Sequence, residues 1–273
     1  MARRASMRAI RAAMGAALMA AVLGGPAQPV MALTATTCVV TNTGSGVAFT
    51  TLAGAVKAAS GGDTLTVRGV CRGTTRIAKD VRIKGIRPGG AAYPMLDGRY
   101  KGAVLDIRAG AKVTIRDLIV RHGIGASGGF GTSGGGLLVL GTATLRNVTV
   151  RDNSAFTGGG IAVAGSLTLA DGSQVYGNSA LVGGGIYIVD GGFVRMKAGV
   201  EVSGNHADTN GGGVVNADGA TLAMEVGASI HDNDATTRAG GLLTNGITDG
   251  VVCAGLGQNV RDNTAPSDAD CGS

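Results

Sequence analysis

The residues that could carry chemistry are concentrated between positions 97 and 122. This segment brings acidic and basic side chains close together in sequence: Asp97, Asp106, Asp117, Arg99, Arg116, Arg121 and His122. Elimination from an acidic polysaccharide needs carboxylates that hold Ca²⁺ against a uronate and a basic residue that takes a proton. Glycoside hydrolysis needs two carboxyl groups across the scissile bond. If the protein is an enzyme, all of these except Arg99 are its candidate catalytic residues.

The same residues also fit an ordinary strand surface. They alternate with apolar side chains, which is the period of two expected of strands with one solvent-facing side; the apolar partners are Val104, Leu105, Ile107, Ile115 and Ile119. The sequence favours this interpretation, so we predict no catalytic residue, no metal site and no cofactor. Calcium is expected only under the lyase alternative.

Two motif matches downstream lack their structural context. Residues 123–128 read GIGASG and fit the dinucleotide-binding pattern, and the residues around Ser127 fit the GxSxG nucleophile pattern. Both patterns require a helix directly after the turn. The following residues, GFGTSGGG, cannot supply one. We therefore expect this glycine-rich segment to be a loop.

Downstream, an asparagine recurs in five similar segments of six residues: VRDNSA, VYGNSA, VSGNHA, IHDNDA and VRDNTA. The asparagines are Asn153, Asn178, Asn205, Asn233 and Asn263, at spacings of 25, 27, 28 and 30 residues. Glycine clusters follow four of them, and another at 134–136 opens the series. The remaining residues alternate with the period of strands. A repeat of this length indicates a solenoid.

One such repeat cannot bury its apolar residues alone, so successive repeats must stack. We predict an all-β, single-domain, right-handed parallel β-helix, with early turns over about 62–133 and the repeat array over about 134–265. Stacked asparagines can hydrogen-bond in a ladder, because the amide both donates and accepts, and the residue tolerates the left-handed turn conformation. The glycines imply corners that need positive φ or leave no room for a Cβ.

The two ends of a solenoid need covers. In the segment FTTLAGAVKAAS, Leu52, Ala55, Val56 and Ala59 fall on one helical face, which predicts a capping helix across the first turn. The four cysteines fall into two groups, Cys38 and Cys71 near the start of the expected mature chain and Cys253 and Cys271 near its end. Three pairings are possible, and proximity favours Cys38 with Cys71 and Cys253 with Cys271. Zinc is disfavoured, since no CxxC pair accompanies them.

Residues 1–32 resemble a secretion signal. Four arginines precede the small, apolar run AAMGAALMAAVLGG, which is shorter than a membrane span, and we expect cleavage after Ala32, with Ala27 and Ala35 as alternatives. The mature domain would be 33–273, without a transmembrane segment.

Removal of the four arginines lowers the net charge from +6 to about +2. The remaining charge is uneven: residues 68–121 hold thirteen basic and four acidic residues, and 130–273 hold six and thirteen.

The segment VYGNSALVGGGIYI, residues 175–188, resembles the repeats of the chlamydial polymorphic membrane proteins, which pair an FxxN element with a GGA[ILV] element. Val or Ile replaces the aromatic in all five copies here, and Gly replaces the Ala. Residues 49–120 resemble the start of pectate-lyase-like proteins. These resemblances imply a β-helix, and they do not imply one activity, because adhesins and enzymes share this scaffold.

From these observations we predict a secreted or cell-surface, non-catalytic binding or adhesion element whose partner is a glycan or cell wall. The alternative is a lyase or glycoside hydrolase that acts on an acidic polysaccharide. The basic early turns would attract a polyanion. Nucleic acid is not expected as a partner, because the protein is expected to be exported and because an aromatic content of 3% leaves few rings for base stacking.

Overall fold

The chain forms a parallel β-solenoid of about seven turns, which confirms the predicted fold class. The computed structural model describes residues 37–128, 131–251, 259–268 and 270–272. The predicted signal peptide, residues 1–32, lies outside the described residues. Each full turn of the repeat array contributes four strands to three sheets, and equivalent strands of successive turns pair in parallel. We call the four strand positions of a turn its four sides; the first and second sides belong to one sheet.

The strands are numbered in chain order and grouped here by side. The first side contains β3 (Asp63–Arg68), β6 (Val81–Gly85), β9 (Lys112–Arg121), β13 (Thr142–Arg151), β16 (Ser166–Ala170), β20 (Phe193–Met196), β24 (Thr221–Met224) and β28 (Ile247–Asp249). β9 and β13 continue around the corner onto the second side. The other strands of the second side are β4 (Val70–Arg72), β7 (Met95–Asp97), β17 (Gln174–Tyr176), β21 (Glu201–Ser203), β25 (Ser229–His231) and β29 (Val260–Arg261).

The third and fourth sides complete the turn. The third contains β10 (Ala126–Gly128), β11 (Gly131–Ser133), β14 (Ser154–Thr157), β18 (Ser179–Val182), β22 (His206–Asn210) and β26 (Asp234–Ala235). β10 and β11 pair antiparallel, so the glycine-rich segment that we expected to be a loop contains two paired strands, and Ser127 lies in one of them. The fourth contains β5 (Thr75–Ile77), β8 (Leu105–Ile107), β12 (Leu137–Val139), β15 (Ile161–Val163), β19 (Ile186–Ile188), β23 (Val214–Asn216), β27 (Leu242–Thr244) and β30 (Cys271–Gly272).

The core is built from like residues stacked in register. On the fourth side Leu137, Ile161, Ile186, Val214 and Leu242 pair in sequence from turn to turn, and all five are fully buried. A turn that buries several such side chains gains about 1.5–3 kcal/mol from each relative to leaving it exposed. The burial of these apolar side chains holds together turns that have no internal core of their own.

The five repeat asparagines form a continuous ladder behind the corner between the second and third sides. The Nδ2 of each donates to the Oδ1 of the next at 2.9–3.0 Å, and all five are buried. The residue before each asparagine is the left-handed one: Asp152, Gly177, Gly204, Asp232 and Asp262. We expected the asparagines to be in place partly because they tolerate the left-handed conformation, and this was wrong. The Asp or Gly before each asparagine adopts that conformation instead.

The glycine clusters fill the corner between the third and fourth sides. The first glycine of each full cluster has positive φ, as at Gly158 and Gly183. The second and third glycines leave no space for a Cβ. On Gly160, for example, it would lie 2.6 Å from the carbonyl oxygen of Gly185 and 3.0 Å from Asn178 Nδ2. Both predicted reasons for glycine are thus confirmed. The glycine-rich motif is a corner of the coil.

The first turn is covered as predicted. Helix α1 (Leu52–Ala58) begins after Thr51, whose Oγ1 accepts from the backbone N–H of Gly54, and buries Leu52, Ala55 and Val56. It packs on the early strands β3 and β5 and on β1 (Val39–Asn42) and β2 (Ala48–Phe49), an antiparallel pair added to the edge of β3. A short 3₁₀ helix, Pro88–Gly90, follows β6.

The predicted disulfide between Cys38 and Cys71 is confirmed, and it ties the residue before β1 to β4. Cys271 is also disulfide-bonded. Its predicted partner, Cys253, lies outside the described residues.

Candidate glycan-binding site

The three predicted aspartates lie in three different places. Asp97 is the last residue of β7 on the second side, whereas Asp106 lies on the fourth side. The carboxylate oxygens of Asp106 lie 3.3 Å from Arg108 Nη1 and 3.9 Å from Arg76 Nε. Asp117 forms the corner between the first and second sides, where its φ is 60°. It bonds to Arg116 at 3.1 Å and to the amide of Asn147 at 2.9 Å. These carboxylates do not form the pair that glycoside hydrolysis requires.

Asp97 forms the centre of a separate cluster with Arg121 and His122. Its Oδ2 accepts from Arg121 Nε at 3.2 Å and lies 3.1 Å from His122 Nδ1, and its Oδ1 accepts from the backbone N–H of Arg99 at 3.1 Å. The residue is 7% exposed. Our expectation of a solvent-facing residue was wrong here, because the next turn and the loop after β7 cover it.

The surroundings keep Asp97 ionised. Burial would raise its pKa, but the backbone N–H of Arg99, the imidazole of His122 and the guanidinium of Arg121 outweigh burial, so the pKa lies below its ordinary value. A buried carboxylate bonded to a guanidinium and an imidazole is costly to form. Departures of this kind from the local rules are concentrated at functional sites.

Strand register explains why these residues meet. Arg72, Asp97, Arg121, Arg151 and Tyr176 occupy the same position on successive turns of the second side. Equivalent side chains on neighbouring strands lie about 4.8 Å apart. The carboxylate therefore lies between basic residues of the turns before and after it, although 24 residues separate Asp97 from Arg121.

The backbone beside the cluster is strained. Arg99, Tyr100 and His122 all have left-handed φ, between 53° and 56°, although none is glycine. Such conformations cost about 1–3 kcal/mol each and persist where surrounding structure holds them. The backbone N–H of Tyr100 donates to the carbonyl of His122 at 2.7 Å, and the two rings stack with centroids 5.0 Å apart and planes 25° apart.

We call the outer face of this corner the Tyr100 surface; it consists of Arg99, Tyr100, Lys101, Arg121, His122, Arg151 and Tyr176. Tyr100 is 60% exposed and Tyr176 is 37% exposed. Arg99 and Lys101 are also exposed. Arg151 is neutralised in part by a close ion pair with Asp152. Two exposed aromatic rings among cations suit a ligand that has both apolar ring faces and negative charge.

A second tyrosine-bearing loop borders the same side of the solenoid. In the loop 86–94, the guanidinium of Arg87 lies 4.0 Å from the ring centroid of Tyr93. The hydroxyl of Tyr93 accepts from Asn147 Nδ2 at 3.2 Å, which fixes this loop over the Asp117 corner. The second side of the early turns therefore runs between the loop 86–94 and the loop that carries Tyr100.

The described residues contain no group of three His, Cys, Asp or Glu side chains placed to hold a metal ion. Asp97 also does not fit the calcium role of the lyase alternative, since both of its oxygens accept from neighbours within the protein. Asp152, Asp232 and Asp262 take left-handed corner positions, as expected of turn residues.

Sequence reasoning found Asp97, Arg121 and His122 but missed Tyr100. The loop from 98 to 104 has no periodicity, so nothing in the sequence indicated that Tyr100 would fold back onto a histidine of the next turn. In the structure, Gly98 permits this fold-back, because a Cβ there would lie 2.8 Å from the carbonyl oxygen of His122.

Comparisons with known proteins gave no significant match to a protein-family model, a curated protein or a solved structure. Within the described residues, no helix has the length and apolar character needed to cross a membrane.

Proposed function

We propose that this protein is an exported binding element for an acidic glycan, and that the Tyr100 surface is its contact site. One observation carries the proposal: two exposed tyrosines and four basic residues from three successive turns and one loop lie at a single corner, around a buried carboxylate that bonds to Arg121 and to the imidazole on which Tyr100 stacks. Sugar rings would pack on the tyrosines, while the glycan's acidic groups would meet Arg99, Lys101 and Arg121.

The early turns as a whole support the same ligand. Their excess of basic residues would raise the local concentration of a polyanion and speed its association. The repeat motif supports kinship with the polymorphic membrane proteins and the pectate-lyase-like β-helix proteins, and we propose this relationship together with secretion or display at the cell surface. Recovery of the chain from the medium with Leu33 as its first residue would test export.

Binding can be tested with the mature protein and immobilised polygalacturonate, with dextran as the neutral control. We expect binding to the acidic polymer that weakens as salt is raised, because exposed charges are screened. The double variant Arg99→Ala, Lys101→Ala should bind several-fold more weakly, since exposed charge pairs contribute about 0.2–1 kcal/mol each.

The matched control is Arg195→Ala, Lys197→Ala, which removes the same charge from the first side of a late turn. This control should bind like the unmodified protein. Equal loss in both double variants would show that net charge, and not the Tyr100 surface, holds the glycan. Absence of binding to any acidic polymer would overturn the proposal.

A further inference from the structure

The outer face of the fourth side is apolar over five successive turns. In each of β12, β15, β19, β23 and β27 the first residue points into the core and the middle one points outward, and the register stacks these middle residues from turn to turn. They are Leu138, Ala162, Tyr187, Val215 and Leu243. Two residues further along, a second outward row contains Leu140, Ala164, Val189 and Ala217. We call these nine residues the Tyr187 face.

The Tyr187 face carries no charged residue, whereas the other three sides of the same turns do. Arg146 is exposed on the first side, Glu201 is half-buried on the second and Asp208 is exposed on the third. Charged residues are depleted in the core of protein interfaces, and tyrosine is enriched there. A contiguous apolar face on a protein whose other faces are charged indicates contact with another molecule.

The Tyr187 face is also flat. Ala162 is 1% exposed and Val215 is 5% exposed, although neither belongs to the core, because each lies between larger side chains of the neighbouring turns. The exposed Val189 and the half-buried Tyr187 offer accessible apolar surface. Two such sheet faces can pack against each other at a separation of about 10 Å.

Charged residues lie at both ends of the Tyr187 face, and the two ends differ in sign. At the early end the row of middle residues continues to Asp106, whose carboxylate lies 3.3 Å from Arg108 and 3.9 Å from Arg76. Two guanidinium groups against one carboxylate leave this end positive.

At the late end the same row reaches Gly272 of β30. A Cβ on Gly272 would lie 3.0 Å from Asp268 Cβ and 3.2 Å from Arg238 Nε, so the ion pair of these two residues borders the face. Asp270 directly precedes β30 and adds a second carboxylate. Two carboxylates against one guanidinium leave this end negative.

We propose that two copies of this chain pair through the Tyr187 face, antiparallel to each other, about a two-fold axis beside Tyr187. Asp106 and Gly272 are each three strands from Tyr187, so this axis brings the positive end of one copy to the negative end of the other. A parallel pair would place like charges together at both ends. A two-fold contact must be complementary to itself, and an apolar centre with ends of opposite charge meets this requirement.

The size of the face sets the strength of the pair. From β8 to β30 it spans seven strands, or about 29 Å, and five residues along a strand give a width of about 16 Å. The footprint of about 450 Å² per copy is smaller than the roughly 800 Å² of a standard interface, so we expect a dimer that dissociates on dilution. The Tyr100 surface lies on the second side and stays exposed in both copies, and this inference is independent of glycan binding.

Sedimentation equilibrium of the mature protein from about 1 μM to 1 mM, the range of weak complexes, tests the proposal. The apparent mass should rise with concentration from that of one chain toward that of two. Tyr187→Arg and Val189→Arg should each raise the dissociation constant about tenfold or more, because each places a charge in the apolar centre of the contact. Both variants should melt like the unmodified protein, since the replaced side chains lie outside the core.

The matched control is Val226→Arg, which makes the same replacement at a valine that is 95% exposed at the corner between the first and second sides. This control should dimerise like the unmodified protein. The mass of a single chain at every concentration would overturn the proposal. Unchanged dimerisation of Tyr187→Arg, or equal loss in Val226→Arg, would also overturn it.

The orientation of the pair can be tested with a thiol cross-linker that spans about 10 Å, the separation of packed sheets. Tyr187→Cys should cross-link two copies, because the axis brings the two positions together. Leu138→Cys alone should not, since its own counterpart lies about four strand spacings, or 19 Å, along the partner, but a mixture of Leu138→Cys and Leu243→Cys should. Efficient cross-linking of Leu138→Cys with itself would overturn the antiparallel arrangement.

Discussion

At the scale of single residues, the buried polar groups explain both the repeat and the site. Asn178 donates from Nδ2 to Asn205 at 2.9 Å and to the carbonyls of Val150 and Tyr176 at 3.0 and 3.1 Å. Its Oδ1 accepts from the side chain and backbone of Asn153 at 3.0 and 3.1 Å. One side chain therefore satisfies backbone groups of adjacent turns, which are shielded from water.

Replacement of Asn178 by Ala should lower the free energy of unfolding by about 2 kcal/mol or more, because each buried group left without a partner costs about 1–3 kcal/mol. Urea unfolding of the variant measures this loss. The exposed Asn245→Ala is the control and should change stability by less than about 0.5 kcal/mol. Equal stability of Asn178→Ala and the unmodified protein would argue against the ladder.

The protonation of Asp97 gives the folded state a defined dependence on acid. Its folded pKa lies below the unfolded value of about 3.9, so its contribution to stability is complete above that pH and is lost as the pH falls through the folded pKa. Urea unfolding between about pH 5 and pH 2 should show stability falling with acid. The slope should be shallower in Asp97→Asn than in the exposed control Asp218→Asn; equal slopes would contradict this account.

At the scale of elements, the corners decide what the sequence can reveal. Glycine clusters and repeat asparagines recur at each turn of the repeat array, so their roles could be predicted by alignment of the copies. Asp97, Asp106 and Asp117 could not be placed, because the early turns lack the asparagine and their sides differ in loop length. A strand's alternation shows which residues face outward, and it does not show which side of the coil carries them.

The corner glycines can be tested in isolation. Gly160→Ala should destabilise the protein by about 1–3 kcal/mol, since its Cβ would meet the Gly185 carbonyl and no flexible side chain can yield. Gly61→Ala, where a Cβ would meet nothing within 4 Å, is the control. Thermal melts of the two variants compare them directly. A melting temperature of Gly160→Ala as high as that of Gly61→Ala would show that the turns have room to spread.

At the scale of the whole molecule, the fold could be predicted from the sequence, whereas the ligand could not. The period of the repeat, the capping helix around Leu52 and the Cys38 to Cys71 pairing all followed from sequence, because each is a local pattern or a proximity argument. The Tyr100 surface depends on which turns adjoin and how one aperiodic loop folds back. Those facts exist only in the assembled coil.

The Cys38–Cys71 disulfide should stabilise the assembled coil by limiting the unfolded chain. It closes a loop of 33 residues, for which the chain-entropy estimate is about 3–4 kcal/mol. Cys38→Ala, Cys71→Ala should therefore melt at a lower temperature than the unmodified protein under non-reducing conditions. Addition of reductant should narrow this difference; a double variant as stable as the oxidised protein would contradict the estimate.

The asparagine ladder also has a direction. In every bond between two ladder asparagines the amide nitrogen donates toward the C-terminal end, so these side-chain dipoles are aligned along the solenoid axis with the positive end last. At that end Asp270 Oδ1 accepts from both nitrogens of Asn263 at 3.1 Å, and at the other the backbone N–H of Gly123 donates to Asn153. An anion thus terminates the positive pole, which gives this β-structure an electrostatic polarity like that of a capped α-helix.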